Sequence, residues 1–313
     1  MEIIKPGKLK RGDLIGIISP SSPVSDKAKL DAGVSYFEKR GYRVKVGTNV
    51  MKAWGYLAGT DKERVDDIHN MFLDNEVKLI ICLRGGYGAS RLLDKIDYSI
   101  IKNNPKIFCG YSDITVLQNA FFNKTGLVTF AGPMAGVDFY KKVSEFTEQS
   151  FWNTITSSEP IRIKHPDGER LRSYRNGIVE GRLIGGNLSL FASLIGTEYL
   201  PEPEGNILFI EEVSEVPYRI DRMLNQLKLS GYLGRIKGVI LGSFTDCEES
   251  DPQRKSLKFE EVMEDYFIKN FNAPVLYNLY HGHVKNNLTI PIGVKVRING
   301  TNCSIDFLES HLA

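Results

Sequence analysis

Three times in its first half the chain repeats one pattern: a short β-rich apolar run, a turn of Gly, Ser or Pro, and a stretch with helical periodicity. "DLIGIIS" passes through "PSSP" into "SDKAKLDAGVSYFEKRG", "VKLIICL" through "RGGYG" into "ASRLLDKI", and "KIFCG" through "YSD" into "ITVLQNAFFNKTG". Strand and helix in alternation predict a parallel sheet with helices on its faces. "LIICL" is apolar without interruption, as a strand buried on both faces must be. In open sheets of this kind ligands gather beyond the carboxyl ends of the strands, where "PSSP", "RGGYG" and "GYSD" all fall. Three turns therefore converge on one rim.

Between about residues 140 and 180 the texture changes. "KKVSEFTEQSFWNTITSSEP" reads as a peripheral helix and "HPDGERLRSYRNG" as a polar stretch with a D-G turn, in which His165 is a solvated loop residue. The boundary is placed there: residues 1–165 form an N-terminal α/β domain and 166–313 a second domain, a division that suits a chain of 313 residues. The second half has β-rich runs at "ILFIEE", "GVILGSF", "PVLYNLYHGH", "IGVKVRING" and "SIDFLE", with helices at "NLSLFASLIG" and "YRIDRMLNQLKLSGYL". This mixture predicts an α+β domain.

Forty Lys and Arg face 38 Asp and Glu, interspersed, for a net charge of +2, so no nucleic-acid footprint is present. Cys82, Cys109, Cys247 and Cys303 are far apart and form no CxxC, which fits reduced thiols and argues against zinc. The N-terminal "MEIIKPGKLKRGDLIGIISP" lacks a signal-peptide core and cleavage site. No window approaches the roughly 18 apolar residues of a membrane span. A cytoplasmic location is the expectation.

Ser112, in "GYSDIT", lies at or just before a helix whose Ile114, Leu117, Phe121 and Phe122 share a face. Serine is a favoured N-cap. The same serine on a sharp strand-to-helix turn would expose its hydroxyl, with the Asp113 amide at the positive end of the helix dipole where an oxyanion would form. The hydrolase elbow G-x-S-x-G is not matched, because Ile114 holds its last position. Both readings of Ser112 stand at this level.

"LRGGYG" is neither a dinucleotide fingerprint nor a P-loop. As a plain tight turn it needs no function. As part of a site, Gly85 and Gly86 would let backbone amides approach a substrate and supply a second oxyanion donor, while Arg84 offers a bidentate partner for a carboxylate.

A serine nucleophile requires a base and an orienting partner. His69 falls in a charged helical stretch, His165 in the polar linker and His311 in the C-terminal tail, leaving His281 and His283 in "YHGHVKN". Two histidines at i, i+2 could also bind a metal, but no further ligand cluster supports that. Glu211 and Glu212 close the apolar run "ILFI", either as an ordinary solvated strand end or as the orienting carboxylate. Alternation does not decide between them, because the run is apolar on both faces.

With "GYSDIT", "LFIEE" and the "GH" of "HGH" in that order, the sequence resembles the LD-carboxypeptidase family, serine peptidases that include the microcin C self-immunity hydrolases. The resemblance spans nearly the whole chain through "GDLIGIISPSSP", "LRGGYGASRLL", "GYSDITVLQ", "GRLIGGNLSLFASLIGT", "LFIEEVSEVPYRIDRMLNQL" and "GHVKNNLTIPIGVKVRI". It implies a flavodoxin- or Rossmann-like parallel sheet in the N-terminal domain, with the active site in a cleft between the domains. It also implies a triad of Ser112 as nucleophile, His283 as base and Glu211 as orienting carboxylate. Oxyanion donors from Gly86 and Asp113 follow, and Asn187 in "GGN" would line the cleft with Arg84 and Gly85.

Of the family's two activities, removal of the terminal D-alanine from murein tetrapeptides and hydrolysis of peptidyl or aminoacyl nucleotides, "RGGYG" and "YRIDRMLNQL" look like the first. His281 before the "GH" is a departure that bears on which histidine is catalytic. The resemblance implies a homodimer with a small peptide substrate and calls for no metal or organic cofactor. The reading from another class is a module that binds peptide or nucleotide without cutting it.

Overall fold

The computed structural model describes residues 2–166 and 168–313, so Asp167 of the expected D-G turn lies outside the described residues. In chain order the elements are β1 (Leu14–Ile18), α1 (Lys27–Glu38), β2 (Arg43–Val46), α2 (Asp61–Leu73), β3 (Val77–Cys82), α3 (Tyr98–Asn103), β4 (Ile107–Gly110), α4 (Thr115–Thr125), β5 (Thr129–Ala131) and α5 (Glu145–Thr156). They continue with β6 (Arg172–Arg175), β7 (Ile178–Asn187), α6 (Leu188–Ala192), β8 (Asn206–Val213), α7 (Pro217–Leu229), α8 (Tyr232–Arg235), β9 (Gly238–Thr245) and α9 (Phe259–Met263). The last strands are β10 (Val275–Tyr277), β11 (Ile290–Ile292), β12 (Lys295–Asn299) and β13 (Ser304–Phe307). The chain divides into two compact units, the first comprising Met1–Glu159, Leu288–Gly293 and Ser310–Ala313, the second Pro160–Asn287 and Val294–Glu309.

The first unit is an α/β domain whose sheet has the order β2-β1-β3-β4-β5-β11, parallel except for the antiparallel edge strand β11. Order reverses between β1 and β3, so the turns after these strands, "PSSP" and "RGGYG", flank the switch point at which open sheets of this kind bind ligands. α4 is buried on almost every side, and the amide nitrogens of its polar Gln118 and Asn119 donate to the carbonyls of Gly110, Phe130 and Thr115. Phe72, Phe108 and Phe121 cluster with centroids 4.9–6.3 Å apart and lock α2 and α4 to β4.

The second unit carries a mixed sheet of order β13-β12-β7-β8-β9-β10-β6, parallel from β7 to β10 and antiparallel at both flanks. α7 starts with Pro217 at its first turn, where a missing N–H costs nothing, and buries Ile220, Leu224 and Leu227.

Four expectations change in detail. "ASRLLDKI" forms one 3-10 turn, Ala89–Leu92, because the Asp97 side chain accepts the Ser99 amide and caps a new helix at Tyr98. The helix of "NLSLFASLIG" is only α6. "PVLYNLYHGH" is a strand only to Tyr277, since Asn278 turns at φ 67°. "IGVKVRING" is divided at Gly293, φ 94°, between β11 in the first unit and β12 in the second, and a side chain at Gly293 would strike the Phe122 ring.

Candidate functional site

β4 ends at Gly110, Tyr111 is extended, and Ser112 turns the chain into the buried N-terminus of α4 at φ 63°. A serine in the left-handed region is strained, and such strain persists only where surrounding structure enforces it. A capping serine would have extended backbone and accept an amide from the first turn. No side-chain cap bond is made at the start of the 3-10 turn Ser112–Ile114 or of α4. The hydroxyl is therefore presented on a strained turn rather than used as a cap.

Two loops of the first unit pack on this turn. A side chain at Gly85 would crowd Ser112 Cβ at 3.1 Å and Oγ at 3.2 Å, and also the Asp113 amide nitrogen at 3.4 Å. Gly86, at φ 115°, lies where a side chain would meet Ser22 Oγ at 2.5 Å, and that same hydroxyl accepts the Tyr87 amide at 3.0 Å. Arg84 donates from Nε to the Gly85 carbonyl and from Nη1 to the Pro23 carbonyl, both at 3.2 Å, so its guanidinium staples the "PSSP" loop to "RGGYG". The Asp113 carboxylate is fully buried and accepts the Ala89 amide at 2.9 Å. Burial raises its pKa, against the pull of its hydrogen bonds and of Arg64.

Arg64 is a residue the sequence did not single out. Its side chain is fully buried, with Nη1 donating to the carbonyls of Pro20 at 2.6 Å and Gly88 at 2.8 Å, and Nη2 to Asp61 Oδ1 at 2.6 Å. Arg91 grips the same Asp61 through both carboxylate oxygens. One guanidinium thus ties α2 to the turns after β1 and β3. In "DKERVDDIHN" it reads as part of a solvated charged face, and no local signal marks it. Ser22 is likewise visible beforehand only as a turn residue.

In the second unit Glu211 and Glu212 end β8 at a register shift against β9. They are not a solvated strand end: their exposures are 1% and 2%. Glu212 accepts Asn187 Nδ2 at 2.8 Å, the Val213 amide at 2.9 Å, the Ser189 amide at 2.8 Å and the Ser189 hydroxyl at 2.5 Å. Burial raises its pKa, and these bonds oppose the rise. Asn187 caps α6 by accepting the Leu190 amide at 3.3 Å, so both ends of its amide are engaged in holding β7, α6 and β8 together.

Glu211 points elsewhere. Its Oε2 lies 3.0 Å from Nδ1 of His283, whose ring is about one quarter exposed. A side chain at Gly282, φ 130°, would lie 2.6 Å from the same Oε2, so the glycine admits the carboxylate. A neutral imidazole that donates from Nδ1 to a carboxylate keeps Nε2 as its basic nitrogen. His281 is buried edge-on against Phe209 at 5.1 Å, with its carbonyl accepting the Ser243 amide at 2.9 Å. The alternatives left open by the sequence are thereby separated in space, since Glu211 meets His283 while Glu212 and His281 are engaged in the fold.

The remaining histidines lie away from Glu211 in the hydrogen-bond pattern. His69 accepts the Asp97 amide, and His311, expected in a tail, is buried with Nε2 2.6 Å from the Thr154 carbonyl. His165 is half-buried rather than solvated, and burial lowers its pKa. Among the described residues no group of three His, Cys, Asp or Glu side chains is placed to hold a metal ion. No helix among them is long and apolar enough to cross a membrane.

A strained serine flanked by close-packed glycines, and an imidazole oriented by a buried carboxylate, are the parts from which acyl-transfer enzymes build nucleophile and base. Residues 15–132 match the LD-carboxypeptidase N-terminal domain and residues 180–298 the LD-carboxypeptidase C-terminal domain. A probable murein peptide carboxypeptidase of Bacillus subtilis (strain 168) is 42% identical over 296 residues, covering 94% of this chain and 91% of the relative. The crystal structure of muramoyltetrapeptide carboxypeptidase from Oxalobacter formigenes aligns with TM-score 0.82 at 33% identity, covering 94% of this chain and 97% of that one. The structure of MccF in complex with glutamyl sulfamoyl guanosine aligns with TM-score 0.89 at 29% identity over 99% of both chains. With both domains matched in order and nearly the whole length shared, the chain belongs to the LD-carboxypeptidase family and is a serine-type carboxypeptidase.

Proposed function

We propose that this enzyme hydrolyses the L-to-D peptide bond of murein tetrapeptides and releases the terminal D-alanine, with Ser112 as nucleophile, His283 as general base and Glu211 as the orienting carboxylate. The observation that carries the reading is the 3.0 Å contact between His283 Nδ1 and the buried Glu211, in a chain whose family is that of LD-carboxypeptidases. His283 Nε2 takes the Ser112 proton as the hydroxyl attacks the scissile carbonyl, and the amides of Gly86 and Asp113 receive the oxyanion. The imidazolium then protonates the departing amine of D-alanine. Water, deprotonated by the same imidazole, attacks the acyl-enzyme and frees the tripeptide acid and Ser112.

The carboxypeptidase names of the Bacillus subtilis and Oxalobacter formigenes relatives support a substrate that is a muramoyl-linked tetrapeptide of cell-wall recycling. We read the setting as the cytoplasm and the assembly as a homodimer, on the family resemblance. Arg84, Gly85 and Asn187 enter this reading as residues that shape the site, Arg84 and Gly85 through the loop beside Ser112 and Asn187 through its bond to Glu212.

The test is mass spectrometry of a murein tetrapeptide incubated with the wild type and with Ser112→Ala. The wild type is expected to release D-alanine, and the variant to be slower by about 10⁴-fold or more. If the wild type left the tetrapeptide intact and cleaved glutamyl sulfamoyl guanosine, the chain would be an aminoacyl-nucleotide hydrolase instead. Comparable turnover by the variant would remove Ser112 from the mechanism.

A further inference from the structure

The first unit exposes two tyrosine rings in contact and a tryptophan on the same turn as one of them, at a place no step of the mechanism uses. Trp54, Tyr56 and Tyr87 are 55%, 66% and 51% exposed, while the other described Phe, Tyr and Trp rings of this unit are buried or partly buried. Tyr56 and Tyr87 meet edge to face at 5.6 Å. Contiguous exposed aromatic surface of this kind marks an interaction site.

The rings are held, not loose. Trp54 and Leu57 exchange backbone hydrogen bonds of 2.7 and 3.1 Å across a turn in which Gly55 takes φ 58°. The turn is pinned from below: the Ala58 amide donates to the Ser21 carbonyl at 2.9 Å, and the buried Leu57 side chain fills the space over Gly88, where a side chain would clash with it. Tyr87 belongs to "RGGYG" itself and is fixed through its amide to Ser22. Tyr87 therefore rides on the loop that packs against Ser112, and the turn that carries Trp54 and Tyr56 is pinned to that loop at Gly88 and to Ser21.

Distance and polarity choose the occupant. A carboxypeptidase substrate ends one residue beyond the scissile bond, so any surface farther out that touches substrate must touch the acyl side. Gly85 abuts Ser112 Oγ, Tyr87 is two residues on, at most about 7 Å by chain length, and Tyr56 extends the surface by a further ring contact. Three acyl-side residues of an extended tetrapeptide span about 10 Å, which brings the group on its amino end to the same region. A pyranose offers a C–H face to an aromatic ring and hydroxyls to the solvent around it.

We propose that Trp54, Tyr56 and Tyr87 form a carbohydrate platform that receives the muramoyl ring at the amino end of the tetrapeptide, an inference that rests on the carboxypeptidase reading above. The enzyme then selects sugar-bearing muropeptides over free peptide, by binding rather than by chemistry. Ring stacking raises affinity for the glycan part and leaves the bond-breaking groups alone, so its loss is expressed in KM.

The experiment measures D-alanine release from a muramoyl tetrapeptide and from the free tetrapeptide by wild type, Trp54→Ala, Tyr56→Ala and Tyr56→Phe. Each alanine variant is expected to raise KM for the muramoyl substrate by up to about tenfold with kcat retained, to lose several-fold less on the free peptide, and Tyr56→Phe to restore the preference. Equal losses on both substrates, or no loss on either, would overturn the platform while leaving the carboxypeptidase reading intact. Sedimentation of the same variants adds a second route to refutation: a shift from dimer to monomer would make the rings a contact between copies of the chain. Failure of the wild type on both substrates would remove the carboxypeptidase reading, and the platform with it.

Discussion

Two strand ends invite comparison. At the end of β4 and at the end of β8 a residue of the proposed triad is followed at once by a buried carboxylate: Ser112 by Asp113, Glu211 by Glu212. In both cases the second residue anchors the end so that the first can be aimed. The anchoring differs. Asp113 works beside one buried cation, Arg64, whose guanidinium gathers carbonyls from two loops, and Ser112 itself sits on strained backbone. Glu212 is held by four neutral donors, and Glu211 stays in extended strand backbone. In the proposed roles, a nucleophile on a tight turn needs its backbone forced, whereas a carboxylate that only orients an imidazole needs a fixed strand.

The largest test of this contrast exchanges the two glutamates for glutamine in turn. In Glu211→Gln the amide can donate to His283 Nδ1, which moves the ring proton to Nε2 and removes the base, so kcat should fall by about 10⁴-fold with the melting temperature retained. Glu212→Gln instead sets an amide donor against donors from Asn187, Ser189 and Val213. It should cost about 2 kcal/mol of stability, read as a lower urea midpoint, with a far smaller loss of kcat. If kcat collapsed in Glu212→Gln while its midpoint held, the roles of the neighbours would be reversed.

The fold of the first unit was largely legible in sequence, because three strand-turn-helix repeats leave few arrangements open. Where the reading failed, tertiary contacts outweighed local pattern. "IGVKVRING" is one apolar run, yet Gly293 hands its parts to two sheets, a choice made by the Phe122 ring and not by the run itself. Ser112 was legible as a serine at a helix start, but not its positive φ, nor the close approach of Gly85 that leaves room for it. The "EE" pair is not resolved by alternation, since the run "ILFI" is apolar on both faces, and only the family resemblance pointed to Glu211 and His283 within their pairs. Their separation depends on Gly282 and on the ring of Phe209. Arg64 left no trace, because a buried arginine and a solvated one look alike in a charged helix.

Arg64 offers the next smaller effect. Lysine keeps the charge but lacks the planar fork that reaches Pro20, Gly88 and Asp61 together. Arg64→Lys should therefore lower stability by about 3 kcal/mol, and in the protein that remains folded it should lower kcat/KM by about 100-fold as the glycine loop shifts against Ser112. The split matters, because a purely structural arginine would lower the melting temperature and leave kcat/KM of the folded fraction intact. That outcome would erase the cation-held character assigned to the first strand end.

The smallest effect tests the strain itself, by making one exchange at both strand ends. Ser112→Ala and Ser112→Gly should be equally inactive, since both lack the hydroxyl. They should differ in stability. Alanine keeps the left-handed penalty of roughly 1–2 kcal/mol, while glycine escapes it and pays back roughly 0.5–1 kcal/mol in unfolded-chain entropy. Ser112→Gly should then be the more stable by somewhat under 1 kcal/mol, seen as a higher urea midpoint at unchanged slope. At Glu211, whose backbone lies in strand β8 and outside the left-handed region, the sign should invert, with the alanine variant more stable than the glycine variant by about as much. Equal signs at the two positions would mean that the turn at Ser112 stores no strain, and the difference drawn between forced and relaxed strand ends would fall.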